Sequence, residues 1–395
     1  MDLSFKPIEG KSRSFSILAA TLTLLSLTGL MSFVISYIKG HQSLGTNNII
    51  PWGMPIVITI YLIGLSAGSL ILSSLTYVFR KEEYRPISRI AVFFAIVLIF
   101  GAMVGIALDL GRPEKSWRLF IFFALNNMRS LFAVNGILYG GYFVISLVYL
   151  GLMFADKPKS TRILAVIAIC WAALVHMGTG AIFGFIAARP IFYSSLRPLE
   201  FLAAAMASGL ALLIILLALI FKLAKRNFNQ DIILSLGKLL LALIIPLFIL
   251  VFVDKLTHLY SPHREPMIWL LTGPFSSIFW GFQVGCAYVL PLILLAHPRF
   301  NRTTTGVMGA AILVVIGIFA ERFVLVIPGA AYPLPFYPGK IEGIWGEPGY
   351  FPFTLVEIFM SLGIFGLMGL FLVLGLKHLE LLPVCESSGQ EPASQ

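Results

Sequence analysis

Charge is scarce in this sequence. Asp, Glu, Lys and Arg make up 12% of its 395 residues, and 58% are hydrophobic; a soluble domain carries about 25% charged residues. That shortage excludes a soluble globular domain and implies an integral membrane protein. Cysteine is scarcer still. Cys170, Cys286 and Cys385 stand far apart, without CxxC spacing, and the first two lie inside apolar runs. No disulfide framework, zinc site or other metal site, or iron–sulfur cluster is expected in this chain. Histidine is sparse too. His41, His258, His263, His297 and His378 lie in or next to loops, and His176 alone sits deep in an apolar run. A haem held by two histidines at matching depth therefore lacks its second ligand, although a His/Met pair stays open. Alternating strands of about 10 residues, as a membrane barrel needs, are also missing; the apolar runs are continuous.

Those runs number ten: 15–37, 54–79, 88–108, 130–154, 162–187, 199–221, 232–253, 274–296, 306–327 and 353–376. Each reaches the roughly 20 residues that span a bilayer as a helix. The first is too long for a signal-peptide core of about 7–15 residues and is read as a retained helix. The expected fold is therefore an all-α polytopic membrane protein over residues 1–383, followed by a polar cytoplasmic tail, 384–395. The net charge of +10 fits topology-setting loops better than nucleic-acid binding. One face collects sixteen Lys and Arg, including Lys6, Arg80, Arg85, Lys157, Lys159, Arg162, Arg226, Arg299 and Lys377; the other collects ten, including Lys39, Arg189, Arg264 and Lys340. The richer face also has the shorter loops. Both termini are thus expected in the cytoplasm, in the cytoplasmic (inner) membrane. Loops 38–53, 109–129, 254–273 and 328–352 are expected outside.

One outer loop breaks this trend. ALDLGRPEKSW (107–117) is the most basic of them, with Arg112, Lys115, Arg118 and then Arg129 behind Asp109. Such a violation arises by chance or because the charges serve a site or a docked partner; Asp109 and Arg112 could pair across the turn at Gly111.

The chain also resembles itself. A shift of 145 residues lays Asp109 on Asp254, Gly140 on Gly285 and His176 on Glu321, and a shift of 140 lays YLIGLSAGSL (61–70) on FLAAAMASGL (201–210). Both halves begin outside, so the repeat is parallel. It implies two four-helix bundles, helices 2–5 (54–187) and 6–9 (199–327). Helix 1 with its outer loop (15–53) and helix 10 (353–376) would be peripheral.

Ionisable residues within spanning segments cost several kcal/mol, upward of about 2.5, and are functional candidates by default. Here they are Asp109, His176, Asp254 with Lys255, and Glu321 with Arg322. At 1.5 Å per residue, His176 lies roughly 20 Å below Arg189. Helical neighbours point about 100° apart, so Asp254–Lys255 and Glu321–Arg322 are expected to pair with other helices rather than with each other. They are read as structural ion pairs or a proton path. Trp52 and Trp117 read as interfacial anchors.

WGMPIVITIYLIGLSAGSL (52–70), LDLGRP (108–113) and HMGTGAIFG (176–184) together resemble the NrfD/PsrC family, the membrane subunits of polysulfide reductase-like enzymes. Ten helices and the stretches ERF (321–323) and GYFP (349–352) resemble its longer branch, which includes HybB, DsrP and subunits of alternative complex III. The resemblance implies a subunit without its own haem, cluster or metal. It would exchange electrons between membrane quinone, menaquinone foremost, and an extracytoplasmic ferredoxin-like iron–sulfur subunit. Further redox subunits (cytochrome c, molybdopterin, hydrogenase or sulfur-metabolism proteins) would complete the complex. The family's quinone site lies in the first bundle toward the outer face. There Asp109 or His176 could exchange protons, Tyr61 could donate to a quinone carbonyl, and Arg112 could balance Asp109. Lys115, Arg118 and Arg129 would receive the partner. Two other readings compete: a secondary transporter, which shares repeats and Gly-interrupted helices, and a redox-inactive anchor for an outer complex.

Overall fold

Every apolar run becomes a helix. The computed structural model describes residues 4–118, 121, 129–224, 230–262, 264–333 and 348–384. Lys225, Arg226, His263, Lys340, Cys385 and the tail beyond Val384 lie outside the described residues. Among the described residues, ten helices are long and apolar enough to cross a membrane. They are α1 (Arg13–Lys39), α2 (Met54–Tyr77), α3 (Arg85–Asp109), α4 (Leu131–Phe154) and α5 (Pro158–Gly184). The second half adds α6 (Arg197–Leu223), α7 (Gln230–Tyr260), α8 (Ile278–Ala296), α9 (Thr304–Ala331) and α10 (Leu355–His378). Hydroxyl caps start several of them: Ser12 accepts from the Phe15 N–H, Thr303 from Gly306 and Thr354 from Glu357, which satisfies donors a helix N-terminus leaves free.

Helix α2 is the axis of the fold. Its apolar stretch is 94% buried, against 11% for that of α1. It packs against α3, α5, α6 and α9, while α1 pairs with α10, which in turn lies on α3. Helices α2 and α6 meet backbone to backbone. A Cβ on Gly68 would fall 2.6 Å from the Gly209 Cα, so neither position holds a larger residue without separating the helices. These are the two segments that the internal repeat aligns. We propose the division into helices 2–5 and 6–9 as the origin of this arrangement.

Three features were not expected. Ser4–Lys6 and Leu382–Val384 form a short antiparallel ribbon, β1 and β2, pairing Phe5 with Pro383. Both ends of the described chain therefore meet on one face. Helix α7 runs on to Tyr260, taking Asp254 and Lys255 into its last turns. Residues Ile278–Val289 of α8 wind as a π-helix, a form that recurs at functional sites.

Candidate functional site

The face opposite the termini carries the first cluster. Three helix ends and a loop build it. LDLGRP ends α3: Gly111 takes φ +66°, a left-handed conformation that suits glycine, and reverses the chain after Asp109. The imidazole of His41, from the turn after α1, fills the space beside it. A Cβ on Gly111 would lie 3.1 Å from the His41 Nε2, and His41 hydrogen-bonds the Asp109 backbone carbonyl. Burial holds this imidazole below its usual pKa, and the carbonyl partly offsets that.

Helix α10 supplies the next member. Thr354-x-x-Glu357 has the form of a capping box, in which the glutamate returns to its own helix end. Here Thr354 caps the helix, but Glu357 reaches across to α2 and accepts the Met54 N–H at 2.5 Å. Glu357 is fully buried, and its Oε2 makes no hydrogen bond; neither does the buried Oδ1 of Asp109. The two carboxylates are electrostatic neighbours. Thr59, donating to the Ala102 carbonyl at 3.4 Å, ties α2 to α3 beneath them. The cluster is thus two carboxyl groups, each with a buried oxygen that makes no hydrogen bond, and a half-buried histidine beside the outer loop.

Arg112 does not join it. The Arg112 side chain is exposed, and no ion pair joins it to Asp109 among the described residues. Backbone bonds fix the loop instead: Arg112 N–H to Leu110 at 2.7 Å and Lys115 N–H to Arg112 at 3.0 Å. Lys115, Arg118 and Arg129 are exposed on the same face, and the Arg118 guanidinium lies 5.4 Å from the Trp117 ring. Trp52, just before α2, packs against Phe183 and Phe192, with ring centroids 5.5 and 6.3 Å away.

Tyr61 and His176 point elsewhere. The Tyr61 hydroxyl donates to the Val315 carbonyl of α9 at 2.9 Å, and its ring meets Phe319 edge-on; it serves helix packing. His176 is buried, with Nδ1 against the Ala172 carbonyl and Nε2 2.8 Å from the Ile63 carbonyl, and so joins α5 to α2. Helix α5 ends at Gly184, so His176 lies about 12 Å from that end at roughly 1.5 Å per residue, shallower than Arg189 as a marker suggested. Asp109 and His176 share no neighbour among the described contacts.

A second cluster runs inward from the same face through α6, α7 and α9. Arg197 binds Glu200 at 2.5 Å and Asp254 at 3.5 Å, and Lys255 binds Asp254 at 2.8 Å. Ser194 also donates to Asp254, and His258 lies 3.5 Å from it. Deeper in, Arg322 pairs with Glu321 at 3.1 Å, and Tyr288 donates to the same carboxylate at 2.7 Å. Arg322 also covers the Phe201 ring at 3.7 Å. Sequence neighbours therefore do pair with each other, contrary to expectation. Long Lys and Arg side chains curl back, and in a low-dielectric interior the nearest counter-charge wins. Three acids, Glu200, Asp254 and Glu321, face three bases, Arg197, Lys255 and Arg322. Among the described residues, no group of three or more His, Cys, Asp or Glu has the arrangement of a metal site.

His41, Arg197, Glu200 and Glu357 were missed from the sequence. Glu200 and Glu357 carried a visible signal, since each is a charge inside a run already assigned as a span. His41 carried none; only the fold brings it to LDLGRP.

Comparison with known proteins fits this architecture. The polysulphide reductase NrfD family matches residues 42–333. An Hdr-like menaquinol oxidoreductase integral membrane subunit of Archaeoglobus fulgidus is 34% identical over 390 residues, 97% of this chain and 98% of that protein. A selenate reductase subunit of Mesobacillus selenatarsenatis is 29% identical, covering 88% of this chain and 90% of its own length. A polysulfide reductase polypeptide of Wolinella succinogenes is 26% identical, covering 72% and 96% respectively. With most of its length matched and ten membrane-spanning helices in place, the chain belongs to the polysulphide reductase NrfD family of multi-pass membrane proteins.

Proposed function

We propose that this chain is the quinone-reactive subunit of a respiratory redox complex. It exchanges electrons between the membrane quinone pool, menaquinone by analogy with the Archaeoglobus relative's name, and an extracytoplasmic iron–sulfur partner. The observation that carries this reading is the pair of carboxyl groups Asp109 and Glu357, each with a buried oxygen that makes no hydrogen bond, at the face opposite the termini. Interconverting a quinone and a quinol moves two electrons and two protons. General acid–base groups must exchange those protons, and two carboxylates within reach of one substrate provide them. His41, bonded to the Asp109 backbone and partly exposed, extends the cluster toward water. The electrons must leave for a partner seated close above. The exposed Lys115, Arg118 and Arg129 around the same loop suit an acidic docking surface.

The inner charge cluster we read as an ion-pair core. Its charges balance, and its contacts join α6 to α7, and α8 to α9. A proton path would instead need Glu321 to change charge during turnover.

The test is purification of the complex from its native membrane, followed by quinol-analogue turnover. Iron–sulfur partners should co-purify, and turnover should fall in Asp109→Asn and Glu357→Gln with assembly intact. A chain that purifies alone and moves a solute favours the transporter reading. An assembled complex whose quinol turnover ignores both substitutions favours an anchor.

A further inference from the structure

The face that carries both termini holds a cavity that no part of this redox reading uses. It has a volume of about 510 Å³ and lies among the ends of α2, α3, α4 and α5; small-ligand pockets run from about 300 to 1,000 Å³. Four bases line it, Arg85, Lys157, Lys159 and Arg162, with two acids, Glu82 and Asp156. Glu82 is engaged by Arg85, at 3.8 Å. Arg162 is anchored by its Nε to the Tyr77 carbonyl at 3.0 Å.

The placement of the bases breaks a local rule. Lys157, Lys159 and Arg162 crowd the beginning of α5, which has no acidic residue in its first turn and no side-chain cap. A helix N-terminus is the positive end of the dipole and disfavours cations. The positive end and three cations together call for an anion. A second, independent feature points the same way. Thr76 belongs to the cavity wall, and its buried hydroxyl makes no hydrogen bond; turned toward the cavity, it would donate to a phosphate oxygen. Apolar Leu152, Met153 and Ile163 complete the wall, and Ile163 is 65% exposed on the flank of the spanning helix. The cavity thus borders the lipid-facing surface as well as water.

We infer that this cavity binds the phosphate headgroup of an anionic membrane lipid, with the phosphate against Lys157, Lys159, Thr76 and the α5 N-terminus, and the acyl chains along Ile163. The lipid is favoured over a free phosphate because apolar side chains form one wall at the membrane boundary. Basic pockets between spanning helices hold such headgroups elsewhere.

Native mass spectrometry of the purified full chain tests this, with phosphatidylglycerol and phosphatidylcholine of matched acyl chains as probes. Wild type should retain phosphatidylglycerol preferentially, and roughly 10 mM inorganic phosphate should not displace it. Lys157→Gln with Lys159→Gln should weaken that retention roughly tenfold or more without changing phosphatidylcholine retention or the melting temperature in phosphatidylcholine. Thr76→Val, nearly the same shape, should weaken it less, and Lys39→Gln on the opposite face should leave it unchanged. If the double variant fails to fold, Lys159→Gln alone carries the same expectation. Equal retention of the two lipids by wild type, or an unchanged preference in the folded lysine variant, would overturn the inference. Displacement by phosphate would overturn the lipid and leave a soluble-anion site.

Discussion

Glu357 separates a structural carboxylate from a working one. In the structure it does one visible job, accepting the Met54 N–H at the start of α2. Glu357→Ala removes that acceptor and leaves a backbone donor without its bond. Leaving a buried backbone donor without its partner costs about 1–3 kcal/mol. The alanine variant should therefore lose about 1–3 kcal/mol and unfold earlier in detergent. Glu357→Gln keeps an oxygen for Met54 and sets an amide group where Oε2 has no partner. It should cost less, about 1 kcal/mol, because the bond to Met54 is kept. If Glu357 also exchanges protons with quinol, this well-folded glutamine variant should nonetheless slow turnover by about 100-fold or more, the usual contribution of a positioned acid or base. The assay is quinol-analogue oxidation or reduction by the intact complex, alongside thermal unfolding of both variants. Wild-type turnover in Glu357→Gln would refute the reasoning and reduce Glu357 to a cap.

Other expectations follow from the same geometry. His41 is held below its usual pKa by burial, so its neutral form favours the fold. The stability it contributes is complete above the unfolded value near 6.5 and is lost as pH falls through the lower folded value; His41→Gln should flatten that part of a melting-temperature profile. Arg197→Met should destabilise by about 3–5 kcal/mol, because Glu200 is left buried without its partner, and unfolding in detergent would show it. Glu321→Gln strands Arg322 in the same way; a stable variant with full quinol turnover but less proton uptake in vesicles would instead favour a proton path. Gly209→Val drives a side chain into the Leu65–Gly68 backbone and should prevent normal assembly, seen as loss of a monodisperse purified chain. Reporters at either terminus should score cytoplasmic, and an outside signal would reverse the orientation.

All ten spans were legible in the sequence because a bilayer demands long, continuous apolar runs, and nothing subtler is needed to find them. Their ends were less so. Helix α7 continues past Asp254 because that charge finds Arg197, Lys255 and Ser194 inside the protein, a compensation that local hydropathy does not register. The candidate site was half visible. LDLGRP marked Asp109, but its neighbour Glu357 and the Met54 that Glu357 binds lie 303 residues apart, and pairing at that separation exists only in the fold. Arg112 looked like the partner because it is close along the chain; the turn at Gly111 fixes the loop by backbone bonds instead. Tyr61 and His176, expected to serve a quinone, hydrogen-bond carbonyls of adjacent helices, as most buried polar groups do. The terminal ribbon of three-residue strands is too short to leave a periodic signal.

The most direct test of the central claim is titration of the purified chain with a fluorescent quinol analogue, in wild type and in Asp109→Asn combined with Glu357→Gln. The account predicts saturable binding at one site per chain in wild type, markedly weakened in the double variant while its melting temperature stays close to that of wild type. Absence of saturable binding in the folded wild-type chain, or equal affinity in the folded double variant, would contradict it.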